Sequence, residues 1–339
     1  MKNKKTVKIW ATIAAIVIIA VLFFFFLRTR GSQTVIRNDA DTSENSGLMP
    51  SSDTITSGKE ITWQGKKYIY NEDIRNILFL GVDKKEEMQA QEYAGRGGQA
   101  DCIILLSMNT REKTATMINI SRDSMTDVDV YDMSGNFVGS ERMQLALQYA
   151  YGDGEKRSCW LMKKAVAELL KDIPIHGYLA LNIEGISVIN DVLGGVEITI
   201  PEDYTSIDEA FVQGTTLTLT GDQAERYVRY RDIEILGSNN GRMERQNQYL
   251  HALVQLLKEK ISEDSSTIDI LFSAGKPFMT TDLTAEQMEK YADYTLNDSY
   301  IKVPGETQKG NKHDEYIVDE KTIKLLRMFS YVDISKIKE

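Results

Sequence analysis

Asn76-Ile77-Leu78-Phe79-Leu80-Gly81-Val82 is a short, almost unbroken apolar run that ends in Asp83. Successive side chains of a strand point to opposite faces, so a strand of this kind must be covered on both. That requirement excludes an open sheet with one wet face and calls for helices above and below. Cys102-Ile103-Ile104-Leu105-Leu106, preceded by Asp101, repeats the pattern, and a third strand over 114–120 leads into Ser121-Arg122-Asp123. Helical periodicity follows at 143–149 and 158–170, then a strand at 178–182, a helix at 185–193, Gly194-Gly195 and a strand at 196–200. Strands alternating with helices define a layered α/β domain. A hairpin at 61–70 precedes this pattern. Helical segments near 267–272 and 284–292, short strands at 300–303 and 316–318, and a helix from Glu320 follow it.

A second constraint lies upstream. Residues 9–27 are 19 in a row with only Thr12 polar, about 28 Å as a helix, which suffices to cross a bilayer core. Lys2, Lys4, Lys5 and Lys8 precede the run and Arg28 and Arg30 follow it, which favours a cytoplasmic N-terminus. A cleaved signal peptide is the alternative. The long apolar core and the lack of a small-x-small site favour a retained anchor. The expected organisation is a cytoplasmic tail (1–8), a transmembrane helix (9–27), a flexible extracytoplasmic linker (28–60) and one domain (61–339). The linker is rich in Ser, Thr, Asp, Asn and Gly, and random-coil scaling gives it a span of roughly 30 Å.

The formal charge of the 339-residue chain is −10, but six cations lie at or before Arg30. Without them 34 basic residues face 50 acidic ones, a charge of −16. Such a domain lacks the positive surface that a duplex nucleic-acid binder needs, so no nucleic-acid partner is expected. Cys102 and Cys159 are too few and too far apart for a CxxC site or a disulfide framework.

Against that acidic background the arginines are concentrated. Arg226, Arg229, Arg231, Arg242 and Arg245 are 5 of 15, gathered into 20 residues with no lysine among them. Guanidinium offers a planar fork of donors that matches phosphate or carboxylate, which an ammonium does not. Five acids between Asp222 and Arg245 cancel the local charge, so spacing carries the argument. Thr220-Gly221-Asp222-Gln223 predicts a capping box and a helix to about Arg229. Ser238-Asn239-Asn240-Gly241 supplies N-cap candidates for a second helix, with Met243, Leu250, Leu253, Val254 and Leu257 on one face. Arg242, Arg245 and Gln246 fall on another face of its first turns, where free N–H groups and the helix dipole favour an anion. Two solvated helix ends carrying surface Arg–Glu pairs remain the alternative.

Asp83 ends one strand and Asp101 begins another. If the strands are neighbours, the two carboxylates meet, and with phosphate oxygens and water they could hold Mg²⁺. Arg122, at the end of a third strand, could face the same edge. The alternatives are a turn residue, a strand terminus and a locally paired loop. Asp127-Val128-Asp129 and the Gly95-Arg96-Gly97-Gly98 loop are weaker signals, the latter lacking the Lys-Ser/Thr of a P-loop. The three histidines show no metal spacing, and no Gly-x-Ser-x-Gly elbow occurs.

Taken together, these residues resemble the LytR-CpsA-Psr family of cell-wall glycopolymer ligases over about 76–257. The matching stretches are Asn76 to Asp83, Ala100-Asp101, Ile120-Ser121-Arg122-Asp123, Val192-Leu193-Gly194-Gly195-Val196-Glu197 and Leu219-Thr220-Gly221-Asp222-Gln223-Ala224. Val228-Arg229-Tyr230-Arg231 and Arg242-Met243-Glu244-Arg245-Gln246 complete them. The resemblance implies a three-layer α-β-α domain with a central mixed sheet, preceded by one transmembrane helix. It also implies an apolar tunnel for the lipid of a polyprenyl-pyrophosphate-linked glycan. The implied reaction transfers glycan-1-phosphate to a peptidoglycan hydroxyl and releases polyprenyl phosphate. On the same footing, Asp83 and Asp101 would bind Mg²⁺, while Arg122, Arg229, Arg231, Arg242 and Gln246 would grip the pyrophosphate. The expected place is the cell membrane, single-pass, with the C-terminal domain outside.

The chain departs from the family pattern in three stretches. Gln99-Ala100-Asp101 stands where Arg-Ser-Asp is usual, Asn239 stands where an aspartate is common, and Ser121 replaces a proline. Asn239 cannot take a proton, which keeps a second reading open: a non-catalytic prenyl-pyrophosphate-binding or regulatory envelope protein.

Overall fold

The computed structural model describes residues 60–333, apart from 93, 285, 286, 288, 289, 292, 293 and 329. The expected tail, transmembrane helix and nearly all of the linker lie outside the described residues, as does most of the helix expected at 284–292. Among the described residues no helix is long and apolar enough to cross a membrane.

The chain opens with the expected hairpin, β1 (Glu60–Trp63) and β2 (Lys66–Tyr70). Its turn residues Gln64 and Gly65 have φ of 47° and 77°. The two apolar runs and the third strand become β3 (Ile74–Val82), β4 (Ala100–Asn109) and β5 (Thr114–Ile120), paired antiparallel in sequence. A separate hairpin follows, β6 (Met125–Tyr131) with β7 (Phe137–Gln144), then α1 (Leu147–Ala150) and α2 (Lys156–Leu169). Next come β8 (Gly177–Asn182), α3 (Ile183–Val192) and the short pair β9 (Glu197–Thr199) and β10 (Thr216–Thr218). Three helices follow: α4 (Gly221–Arg229), α5 (Asn239–Glu263) and α6 (Thr267–Gly275). The C-terminal part holds β11 (Met279–Thr281), β12 (Thr295–Leu296), β13 (Ile301–Lys302), β14 (Gly305–Lys309), β15 (Asp314–Val318), α7 (Glu320–Met328) and β16 (Tyr331–Asp333).

The central sheet runs β11-β8-β3-β4-β5-β12, with β13 also beside β5. β8 is parallel to β3, and β12 and β13 are parallel to β5, so the sheet is mixed. The apolar runs divide between its faces as their pattern requires. Leu78, Leu80 and Val82 pack with Cys159, Met162 and Ala165 of α2, and with Ile323 and Leu326 of α7. Ile77 and Phe79 pack on the opposite face with Ile186 and Ile189 of α3 and Val254 of α5. These two cores make three layers, α-β-α. A third core, around Tyr227, Tyr249, Leu253 and Leu257, binds α4 and α5 to the β9–β10 pair.

One expected helix, at 143–149, starts late. Met143 and Gln144 end β7, opposite Thr126 and Met125, and helix begins only at Leu147. The local period there yields to tertiary pairing: Gln144 Nε2 donates to the buried Asp123 carboxylate at 2.9 Å, which fixes it as strand.

Candidate active site

Because β3 and β4 are antiparallel neighbours, the end of one and the start of the other share an edge. Asp83 and Asp101 therefore border the same cavity, which lies between the sheet and helices α3, α4 and α5. Its empty space is about 720 Å³, open mouth included. Phe79, Leu181, Ile186, Ile189, Leu250 and Leu253 make its walls apolar, while Asp83, Asp101, Arg229, Arg242 and Gln246 make one part polar. Gly81 also lines it, where a Cβ would stand 2.8 Å from that of Cys102, so a side chain there would crowd the wall. Burial pushes the Cys102 thiol up to about 12, which leaves it a neutral part of that wall.

The polar part is assembled by two helix ends. Thr220 and Gln223 form the expected capping box that starts α4. At the other end, carbonyls freed by the end of α4 need donors. Arg245 Nε donates to Tyr227 O at 2.8 Å and Arg245 Nη2 to Tyr230 O, while Gln246 Nε2 donates to Val228 O at 3.1 Å. Arg245 also lies over the Tyr204 ring, Cζ 5.0 Å from its centre. Arg245 is thus a structural arginine. Gln246 borders the cavity with one of its two amide hydrogens committed to the fold. The expected side-chain N-cap of α5 is absent: Ser238 is already helical, with φ −56° and ψ −19°, and makes no capping bond.

The guanidinium groups converge. Arg122 Nη1 and Arg242 Nη1 donate to the two different oxygens of Asp101, at 2.5 and 2.9 Å. Arg231 Nη1 meets Asp123 Oδ2 at 3.1 Å, and Arg122 Nε stands 3.5 Å from Asp123 Oδ1. Arg229 Nη2 pairs with Asp83 at 2.8 Å and its Nη1 with Glu225 at 3.2 Å, and Glu225 in turn holds Lys85 at 2.8 Å. Arg122, Arg231 and Arg242 come from a strand end, a loop and a helix start, yet they share two aspartates. Arg229 is the more exposed rim of the group, with 44% of its side chain accessible against 4% for Arg242.

Electrostatics here are those of buried charge. Burial lowers the Arg242 pKa, with Asp101 opposing and Arg122 and Arg231 adding to the fall. Burial likewise raises that of Asp123, against the pull of Arg122, Arg231 and Arg242. Arg242 Nε is buried without an acceptor, so the protein does not satisfy this donor itself. Four arginines stand against Asp83, Asp101 and Asp123, and Lys85 cancels Glu225, leaving a net charge of about +1.

Asp123, Glu225 and Gln144 join the site without being among its sequence-predicted residues, and Gln99, read as a neutral replacement for an arginine, joins it as an acceptor. Two signals were present: Asp123 adjoins Arg122, and Glu225 precedes Arg229 by one helical turn. Sequence marks Gln99 only as a missing arginine; its contact, Oε1 accepting from Arg122 Nη2 at 2.6 Å, shows only in space. Arg96 is exposed in the glycine-rich loop, where Gly97 packs against the backbone of Gly154. Asp129 of the weaker acidic motif pairs with Lys164 at 2.6 Å. Among the described residues no three Asp, Glu, His or Cys side chains gather to hold a metal. Asp83 and Asp101 would therefore need ligand oxygens and water to complete a cation shell, the donor set that suits Mg²⁺.

An apolar cavity thus lies between a mixed sheet and a helical layer, with paired arginines and carboxylates at one part of its lining. The chain belongs to the LytR_cpsA_psr family, whose model matches residues 39–328. It is 29% identical over 252 residues to a protein of Bacillus cereus (strain AH820) named polyisoprenyl-teichoic acid–peptidoglycan teichoic acid transferase TagU, covering 72% of this chain and 73% of that one. A protein of the same name from Halalkalibacterium halodurans is 26% identical over 257 residues, covering 74% and 76%. Among solved structures, protein gbs0355 from Streptococcus agalactiae superposes with a TM-score of 0.60 at 21% identity, over 75% of this chain and 86% of that one. TagT bound to LIIa-WTA does so with a TM-score of 0.55 at 20% identity, over 76% and 89%, which shows the shared fold.

Proposed function

We propose that this protein is a membrane-anchored phosphotransferase that moves a glycan-1-phosphate, of the teichoic acid class, from a polyprenyl diphosphate carrier to a peptidoglycan hydroxyl. The observation that carries the reading is the convergence of Arg122, Arg231 and Arg242 on Asp101 and Asp123 beside the apolar cavity. The names of the TagU relatives support the substrate class. The 19-residue apolar run supports the anchor, which would keep the cavity within reach of a lipid carrier and the domain outside the cell.

In this reading the prenyl chain occupies the apolar walls and the diphosphate meets the guanidinium groups. The acceptor oxygen bonds to the sugar-side phosphorus as the P–O bond to the prenyl-side phosphate breaks. The hydroxyl proton leaves to solvent or with the released prenyl phosphate. Phosphoryl transfer rests mainly on positioning and charge stabilisation, which Arg122, Arg231 and Arg242 supply without a covalent nucleophile. A diphosphate diester brings about two negative charges to a site of net charge near +1. Asp83 and Asp101 would hold a Mg²⁺ ion whose chemistry, when bound, is to neutralise the excess on the phosphate oxygens.

A second reading, a carrier-holding protein without turnover, has one observation in its favour. Asp83, Asp101 and Asp123 each already face an arginine, so none is a ready base. The test is to supply the full-length chain in detergent with a lipid-linked diphosphate glycan, peptidoglycan fragments and Mg²⁺. Release of prenyl phosphate with a phosphodiester-linked product is expected, with activity lost on chelation and regained with Mg²⁺. Tight binding without any product would reject the transferase in favour of the holding protein.

A further inference from the structure

The loop from Arg231 to Gly237 lies between α4 and α5 and leaves its apolar side chains in solvent. Ile233, Ile235 and Leu236 are 68%, 58% and 51% exposed. The loop is folded, not slack: the Ile235 N–H donates to Asp232 O at 3.3 Å, the Ser238 N–H to Ile235 O at 3.2 Å and the Glu234 N–H to Asp232 Oδ1 at 3.0 Å. Both of its ends are pinned, Arg231 on the Asp123 carboxylate of the site and the Gly237 N–H on Asp314 Oδ2 at 2.9 Å. Three large aliphatic side chains held outward on one short loop, next to the arginine cluster, mark a surface that meets an apolar partner.

The upstream chain enters at the other end of the domain. Glu60 pairs with Ile69, and the next residue, Tyr70, donates its hydroxyl to Ile74 O at the start of β3. The site lies past the far end of that strand, at Val82-Asp83, and nine residues of strand span about 26 Å. A flexible linker entering there keeps the domain near a bilayer but does not turn the site toward it. A lipid carrier presents its headgroup at the bilayer surface, so the site end needs its own contact with that surface. Asp232 and Glu234 give the loop no attraction to anionic headgroups, which leaves apolar insertion. We propose that Ile233, Ile235 and Leu236 dip into the bilayer interface and set the domain down with its arginine end on the membrane. The inference rests on the anchored, lipid-carrier reading and adds an orientation to it.

The experiment places the full-length chain in phosphatidylcholine vesicles. I235C carries a fluorophore, as does K67C in the exposed hairpin at the tether end, and quenching by lipid spin-labelled in its acyl chains is read. Labelling of the unaltered chain sets the background from Cys102 and Cys159. The I235C label should be quenched and the K67C label should not. The I233S, I235S, L236S triple variant should release prenyl phosphate from a vesicle-borne carrier roughly tenfold more slowly, the factor that burying even one such side chain is worth. Its Tm and its turnover in detergent should be unchanged, because the three side chains are exposed. An unquenched I235C label, or quenching of K67C in its place, would overturn the proposal. So would an equal loss of turnover in detergent, the mark of a loop acting on the site itself, or disulfide cross-linking of unlabelled I235C between two chains, the mark of a second copy. Absence of turnover in the unaltered chain would refute the transferase reading and leave the quenching to decide this inference. A chain that an alkaline carbonate wash strips from the vesicles would refute the anchored reading, and this inference with it.

Discussion

Arg242 is the residue whose loss should cost most, and the structure lets the cost be divided. Arg242→Ala removes the donor to Asn239 Oδ1 and one of two donors to Asp101, while Arg122 still holds the other Asp101 oxygen. A buried acceptor left without its donor costs about 1–3 kcal/mol. For a domain of this size that lowers Tm by about 2–12 °C. Activity should fall much further, by roughly 10²–10³, the loss expected for one donor aimed at developing charge in a water-poor site. Arg242→Lys keeps the charge without the fork, so one ammonium must choose among Asp101, Asn239 and the diphosphate, and only part of the rate returns. The assay is prenyl phosphate release from a lipid-linked diphosphate glycan, followed by mass spectrometry well below the Tm of each variant. If both variants turn over within about threefold of the unaltered chain, Arg242 does not touch the reacting phosphates and the site is misassigned.

Two further outcomes follow from other parts of the molecule. Leu250→Trp places a bulky indole on the cavity wall; displacing two CH₂ groups of a long prenyl diphosphate, at about 0.8 kcal/mol each, should weaken its binding by about tenfold or more. Inorganic pyrophosphate binding should be unchanged, and an equal loss for both ligands would place the lipid elsewhere. His176 accepts the Asn76 backbone N–H through Nδ1 at 3.1 Å, and burial, aided by Arg75, lowers its pKa to about 4. The unfolded chain therefore takes up a proton that the folded chain refuses. The His176 contribution is fully present above pH 6.5, is lost as pH falls toward 4, and amounts to at most about 3 kcal/mol. Urea unfolding across that range should show the slope in the unaltered chain and a flatter one in His176→Asn.

The fold was legible wherever burial left a periodic trace. β3, β4 and β5 show in sequence because both faces of each must be apolar, and α4 shows because Thr220 and Gln223 sit at capping-box spacing. The convergence of the arginines was legible only as a concentration on one stretch. That Arg122 joins them depends on side-chain contacts between distant parts of the chain, Arg242 with Asp101 and Arg231 with Asp123. The β6–β7 hairpin was obscured because Met143 and Gln144 carry a helical period that sheet pairing overrides. Gln99 and Asn239 read as lost charges in sequence and as oriented acceptors in space, since a hydrogen bond leaves no pattern along the chain. Arg245 shows the converse: spacing grouped it with Arg242, yet it holds backbone carbonyls of the preceding helix end.

Helix α5 supplies both kinds of surface to the cavity, Arg242 and Gln246 near its start and Leu250 and Leu253 further along. At 1.5 Å per residue Arg242 and Leu253 lie about 16 Å apart along one rigid rod, so under the proposed function the helix would act as a ruler between headgroup and tail. Inserting a single residue between them would swing the far part by about 100° and turn its leucines away from the opening. Diversification for new carriers or acceptors is therefore expected in the surrounding loops, while the number of residues along this rod stays constant.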